Sequence, residues 1–207
     1  MWKLTKGILF TAAGVLILLL IAGPYLVDTA YDRANQVVAL PPYPSDADSQ
    51  ALHDTLFIAD LHADTFTFND RFMEHKAHGH LDYPRAREAG FNLLTMGIAT
   101  EVPFDMIRRP PEGIARDGNL ILTNAIIGLE PLGNWYSNFA RGNWVMDNVH
   151  RVVNEHPDKL LLITHREDVL ALRNDYTNNP SRIGLLLAAE GAHILDDHTD
   201  QLDELFV

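Results

Sequence analysis

Residues 7–27 contain no charged side chain and include Ile8, Leu9, Phe10 and the run 15–21, so the chain opens on an uncharged stretch of 21 residues. At about 1.5 Å per residue such a helix spans roughly the 30 Å hydrocarbon core of a bilayer. Lys3 and Lys6 precede it and Asp28 and Asp32 follow it. Basic residues stay on the cytoplasmic side, which predicts a cytoplasmic tail over 1–6, a signal anchor over 7–27 and everything after Val27 outside, periplasmic or extracellular. A cleaved signal peptide is the alternative. Its apolar region would run only about 7 to 15 residues, shorter than this one, although Ala22 and Gly23 before Pro24 keep cleavage open. Both readings export the rest of the chain.

Residues 28–50 hold Pro41, Pro42 and Pro44 followed by Ser45, Asp46, Asp48 and Ser49, a composition that suits a semi-extended tether. The domain is expected over 51–207. Beyond the leader the chain carries 14 basic against 28 acidic groups, which makes nucleic acid an improbable partner. It has no cysteine, so disulfides, thiol nucleophiles and thiolate metal sites are all excluded. A metal here must be held by histidine and carboxylate.

Leu56, Phe57, Ile58, Ala59 and Leu61 predict a buried strand. Gly90 closes a short segment over 83–89, and a second strand follows over 91–98, interrupted by Asn92. Residues 107–141 are rich in Pro and Gly around the apolar stretch 120–129, where helix is favoured over strand. Val145, Val149, Val152 and Val153 form one face of an amphipathic helix ending before Pro157. A strand is expected over 160–164. Thr164 and Glu167 resemble a capping box for a helix reaching about Asn174, and a fourth strand over 183–189, apolar enough to be covered on both faces, ends at Glu190. Alternating strands and helices predict a parallel α/β architecture, doubly wound or barrel.

His62 and Asp64 stand two apart at the end of the first strand, so period-two alternation points both to one side. The chain holds four His-x-Asp triplets, at His62, His80, His156 and His198. Position separates them: only the first closes an apolar strand, and the others are expected on solvated surface. Glu190 also closes a strand, where a buried carboxylate needs a partner, although a water-exposed strand end would explain it equally. Together His62, Asp64 and Glu190 offer one nitrogen and several oxygens, a set suiting zinc, manganese or iron(II) over copper. His193, three residues after Glu190, is expected to support the ligands or face substrate. His53, His75, His78, His150 and His165 read as solvated. There is no Gly-x-Ser-x-Gly elbow and no Gly-rich phosphate loop.

The stretch Phe57-Ile58-Ala59-Asp60-Leu61-His62-Ala63-Asp64-Thr65, then Gly79-His80-Leu81-Asp82-Tyr83-Pro84-Arg85-Ala86-Arg87-Glu88-Ala89-Gly90, resembles the opening of the membrane dipeptidases, the renal-dipeptidase-like M19 metallopeptidases. Gly184-Leu185-Leu186-Leu187-Ala188-Ala189-Glu190-Gly191-Ala192-His193 resembles the segment that supplies their metal-bridging glutamate. The resemblance implies a metal-dependent hydrolase of (β/α)8, TIM-barrel type, hydrolysing dipeptides with two zinc ions. His62 and Asp64 would bind the first ion and Glu190 would bridge both. The remaining zinc ligands and the catalytic acid/base groups would follow Val207. The chain would then be the N-terminal part of the barrel, inactive by itself even in added zinc, with its oligomeric state open, a homodimer included. Residues 101–143 match none of these motifs. A membrane-tethered module without catalysis, or another amidohydrolase on the same scaffold, are the rival readings.

Overall fold

A computed structural model of the chain describes residues 2–38, 42–68, 71–76, 78–103, 118–176, 179 and 181–205. Pro41, the residues 104–117 with Pro110, Pro111 and Gly113, and Val207 lie outside them.

The apolar leader forms helix α1, Trp2–Ala34, about 50 Å long. It is the one candidate among the described residues for a membrane-crossing helix, with a mean hydropathy of 2.3 in its most apolar window. The helix runs past the expected end at Val27 and through Pro24. Its last turns dock on the domain, where Asp28 pairs with Arg71 at 3.0 Å and the Tyr31 and Phe68 rings lie 6.3 Å apart. The main-chain N–H of Gly79 donates to the Asn35 carbonyl just beyond the helix. The start of the expected tether is therefore helical and packed. Its end is helical too: Asp46 caps α2, Ala47–His53, by accepting from the Ser49 N–H, so regular structure begins ahead of the expected boundary at residue 51.

The remaining elements alternate. Strand β1 is Ile58–Ala63, α3 is Thr65–Phe68, α4 is Tyr83–Glu88, β2 is Phe91–Ile98 and α5 is Leu120–Ile127. A 3-10 turn, Leu132–Trp135, leads into α6, Asn138–Glu155; then come β3 (Leu160–Ile163), α7 (Arg166–Asp175), β4 (Ile183–Ala189) and two 3-10 turns, Ala192–Leu195 and Thr199–Leu205. The expected strands and the helix over 120–129 are thus present. The capping box before α7 is displaced by one residue: His165 is the N-cap, and Asp168 accepts the N–H groups of Thr164 and His165, which hold its carboxyl below the ordinary range.

All four strands are parallel, in the order β1-β2-β4-β3. A simple barrel pairs each strand with the next in the chain; here β4 lies between β2 and β3. Ile183 and Leu185 face one side and join Leu94, Met96 and Leu160 in a core closed by Val145, Val149 and Val152 of α6. Burying each valine contributes about 1.5–3 kcal/mol. Gly184, on the opposite face by alternation, lies against Leu172 of α7, whose methyl a Cβ there would crowd at 2.7 Å. Helices therefore cover both faces of a parallel sheet, a mixed α/β layer.

Two expectations of burial change. β1 is an edge strand, half exposed along its length, with Leu61 at 76%. It pairs with β2 alone, across two register shifts. β4 is buried in its first half and open from Leu186 onward. Asn92, the polar break in the β2 run, is buried and accepts the Ile58 N–H through Oδ1 at 2.6 Å, closing the first register shift.

Candidate metal centre

The C-terminal ends of β1, β2 and β4 meet at one edge of the sheet, where parallel α/β folds place ligands. His62 lies in β1 and Asp64 one residue past it, where its carbonyl accepts the Thr67 N–H and starts α3. The Glu190 N–H donates to the Ile98 carbonyl at 3.0 Å, extending the β4 to β2 ladder by one residue and fixing the glutamate beside the end of β2. The hydroxyl of Thr67, a buried residue, donates to the Gly97 carbonyl at 3.1 Å and ties α3 to that end.

The three side chains converge. His62 Nε2 is 3.3 Å from Asp64 Oδ1 and 3.5 Å from Glu190 Oε2, with ligand atoms of all three within 4.8 Å of one another. Two donors about 2.1 Å from one tetrahedral ion stand about 3.4 Å apart, so this spacing suits a shared divalent cation. Asp64 Oδ1 is shielded from water and accepts no hydrogen bond, a lone pair in want of a positive partner. Gly97 provides the space: a Cβ there would overlap Asp64 Oδ1 and crowd the His62 ring. The side chains are otherwise open, at 53%, 41% and 50% exposure. One imidazole and two carboxylates fit zinc, manganese or iron(II).

His193 stays outside this cluster. Its ring is folded against the Gly191 backbone, where φ is +93°, and its Nε2 is buried without a partner. The other triplets divide. His198 and Asp200 are exposed, 3.9 Å apart, as expected of a solvated pair, and His80 is exposed. Asp82, expected in water, is 2% exposed: it caps α4 through the Arg85 N–H and pairs with the Arg85 guanidinium, a structural task. A hollow of about 830 Å³ opens between the ends of β3 and β4 and α6, lined by Leu186, Ala189, Gly191, His150 and Thr164; His62, Asp64 and Glu190 are not among its lining residues.

Gly97 and Asp196 are the residues that sequence reasoning passed over. An isolated glycine within an apolar strand run is the available sign for Gly97, since it marks close approach of another group. Gly97→Ala is expected to lower divalent-metal affinity about 10–100-fold with the circular dichroism spectrum kept; unchanged affinity in a metal titration would place the ion elsewhere. Asp196, six residues after Glu190, accepts the Ser137 hydroxyl at 2.6 Å and the N–H groups of Asn138 and Phe139, capping α6 from afar. Partial burial opposes its ionisation, but these hydrogen bonds outweigh it and hold the carboxyl below the ordinary range. No family model and no curated protein matches this chain.

Proposed function

We propose that this chain belongs to an exported, membrane-anchored zinc dipeptidase that resembles the M19 membrane dipeptidases. The carrying observation is the convergence of His62 Nε2, Asp64 Oδ1 and Glu190 Oε2 around a point that Gly97 keeps clear. Zinc bound there would supply Lewis acidity and hydroxide near neutral pH. The chain's own part is placement: His62 and Asp64 would hold the first ion, and Glu190 would serve both ions. In the barrel version of this reading, β1, β2, β4 and β3 are successive staves, the last two out of chain order.

Elemental analysis of the purified chain should find zinc, exchangeable by chelator. Dipeptide hydrolysis is expected only when the second ion's ligands are also supplied, from further residues, from His193 or His198, or from a second copy. Zinc-free protein after incubation in excess zinc would overturn the proposal. The exposure of the three ligands favours a second reading, a membrane-tethered metal-binding module without catalysis; zinc bound without hydrolysis once the second ion's ligands are supplied would select it.

The topology follows from Lys3 and Lys6 ahead of the apolar run. A reporter that works only outside the cytoplasm, fused after Gln50, is expected to be active, and activity of a cytoplasm-only reporter at the same position would reverse the orientation.

A further inference from the structure

The membrane helix does not leave the domain behind at its last apolar residue. Gly23, inside the uncharged run 7–27, abuts the Ile127 carbonyl so closely that a Cβ would overlap it, and Val27 packs near Gly128. The first charges of α1 beyond the run are Asp28, paired with Arg71, and Asp32. Gly23 lies five residues before Asp28, so Ile127 sits about 7.5 Å below the first charge along the helix axis. Amphipathic elements that rest on a membrane bury their apolar face about 5–10 Å into the boundary between headgroups and acyl chains.

From this we infer that the C-terminal turn of α5 is itself inserted in the bilayer interface, on the domain's side, beside the point where α1 emerges. The inference rests on the reading of α1 as a membrane span. The turn is built for lipid. Ile126, Ile127, Leu129 and Leu132 are exposed, the last at 65%, and residues 119–129 carry no charge. Leu129 adopts φ 58°, a left-handed position that glycine ordinarily fills at a helix end and that here holds a leucine outward. The backbone leaves few groups for water to satisfy: the N–H groups of Gly128, Leu129 and Glu130 donate to the carbonyls of Asn124, Ile126 and Ala125, and Pro131 has none to donate. Glu130, the first charge after the turn, points its carboxylate inward to the Asn134 amide at 2.8 Å. Tyr136, 84% exposed, stands at the rim, the place of amphipathic rings at a membrane surface. The occupant of this face is thus the acyl and headgroup boundary of the membrane that α1 crosses.

The absence of cysteine makes single labels straightforward. The full chain bearing Ile126→Cys, Leu132→Cys, Leu18→Cys or Asn154→Cys, each labelled with bimane, would be reconstituted in phosphatidylcholine vesicles with nitroxide on the acyl chains. Leu18, exposed on α1, reports the span, and Asn154, exposed on α6, reports the aqueous side. Labels at 126 and 132 are expected to be quenched at least about twofold more than the label at 154. Quenching at 18 with none above the level of 154 at 126 and 132 would overturn the inference and leave the membrane span standing. Protection of 126 and 132 from aqueous iodide without lipid quenching would do the same and assign the face to a protein partner. No quenching at 18 would overturn the span and this inference together.

Discussion

His62→Ala and Asp64→Ala are each expected to weaken zinc binding at least ~100-fold, since loss of a group that merely supports a ligand already costs about 10–100-fold. Each removes a direct donor from a set of three, and two donors leave a surface pair of the kind any acidic protein offers. Glu190→Gln keeps one neutral oxygen at the same place and should fall between these variants and the wild type. His80→Ala and His156→Ala are the internal controls, because they carry the same His-x-Asp spacing without the third group: among the described residues His62, Asp64 and Glu190 form the one cluster of three. His62 is open to solvent and its neighbours are the other two ligands, so the alanine variant should fold as the wild type does. Calorimetric titration with zinc decides the matter. Equal losses at His62 and His80 would show that the spacing, and not the convergence on Glu190, had been measured.

How far this centre was legible beforehand depends on the range of the physics involved. The pairing of His62 with Asp64 is partly local: period-two alternation points to it, but β1 is irregular between Asp60 and Ala63 and Asp64 lies past the strand, so alternation alone does not give the 3.3 Å approach. The β2 and β4 runs are legible because long apolar stretches bounded by turns have few other solutions. The strand order is different in kind. No periodicity within β3 or β4 states which of them lies beside β2, and the register that places Ala189 opposite Ile98 is set by tertiary packing. The same limit hid the first turns of α6. Arg141, Gly142 and Asn143 break the apolar pattern that starts at Val145, and they are helical because distant groups use them: Ile194 fills the space above Gly142, and Thr100 takes a hydrogen bond from Arg141. Exposure misled in the opposite sense at β1, where an apolar run forms a sheet edge with Leu61 in solvent.

Arg141→Met is expected to cost about 2–5 kcal/mol of stability, since each buried carbonyl left without its donor costs about 1–3 kcal/mol, and the reason lies in what would remain. The arginine is 6% exposed. Its Nε donates to the Thr100 carbonyl at 3.0 Å, and its two terminal nitrogens donate to the Asn134 carbonyl and to Asn138 Oδ1. One side chain thereby joins the end of β2, the 3-10 turn before α6 and the first turn of α6. Burial pulls the guanidinium pKa down, while Asp196, Glu101 and Glu130 pull it back up; an arginine stays charged throughout. Methionine has similar length and flexibility, so it can fill the space, but it leaves the Thr100 and Asn134 carbonyls without these donors and the three acids without their common cation. Lysine keeps the charge and loses the planar fork, so Arg141→Lys should recover only part of the loss. Asp196 acts on the same helix end from the segment after Glu190, so Arg141→Met and Asp196→Asn should combine non-additively, as neighbours sharing one network do. Thermal unfolding followed by circular dichroism would show it. A loss below about 1 kcal/mol in Arg141→Met would mean that water takes over the two carbonyls, and the end of β2 that carries Gly97 would then owe its position to Thr67 and the sheet alone.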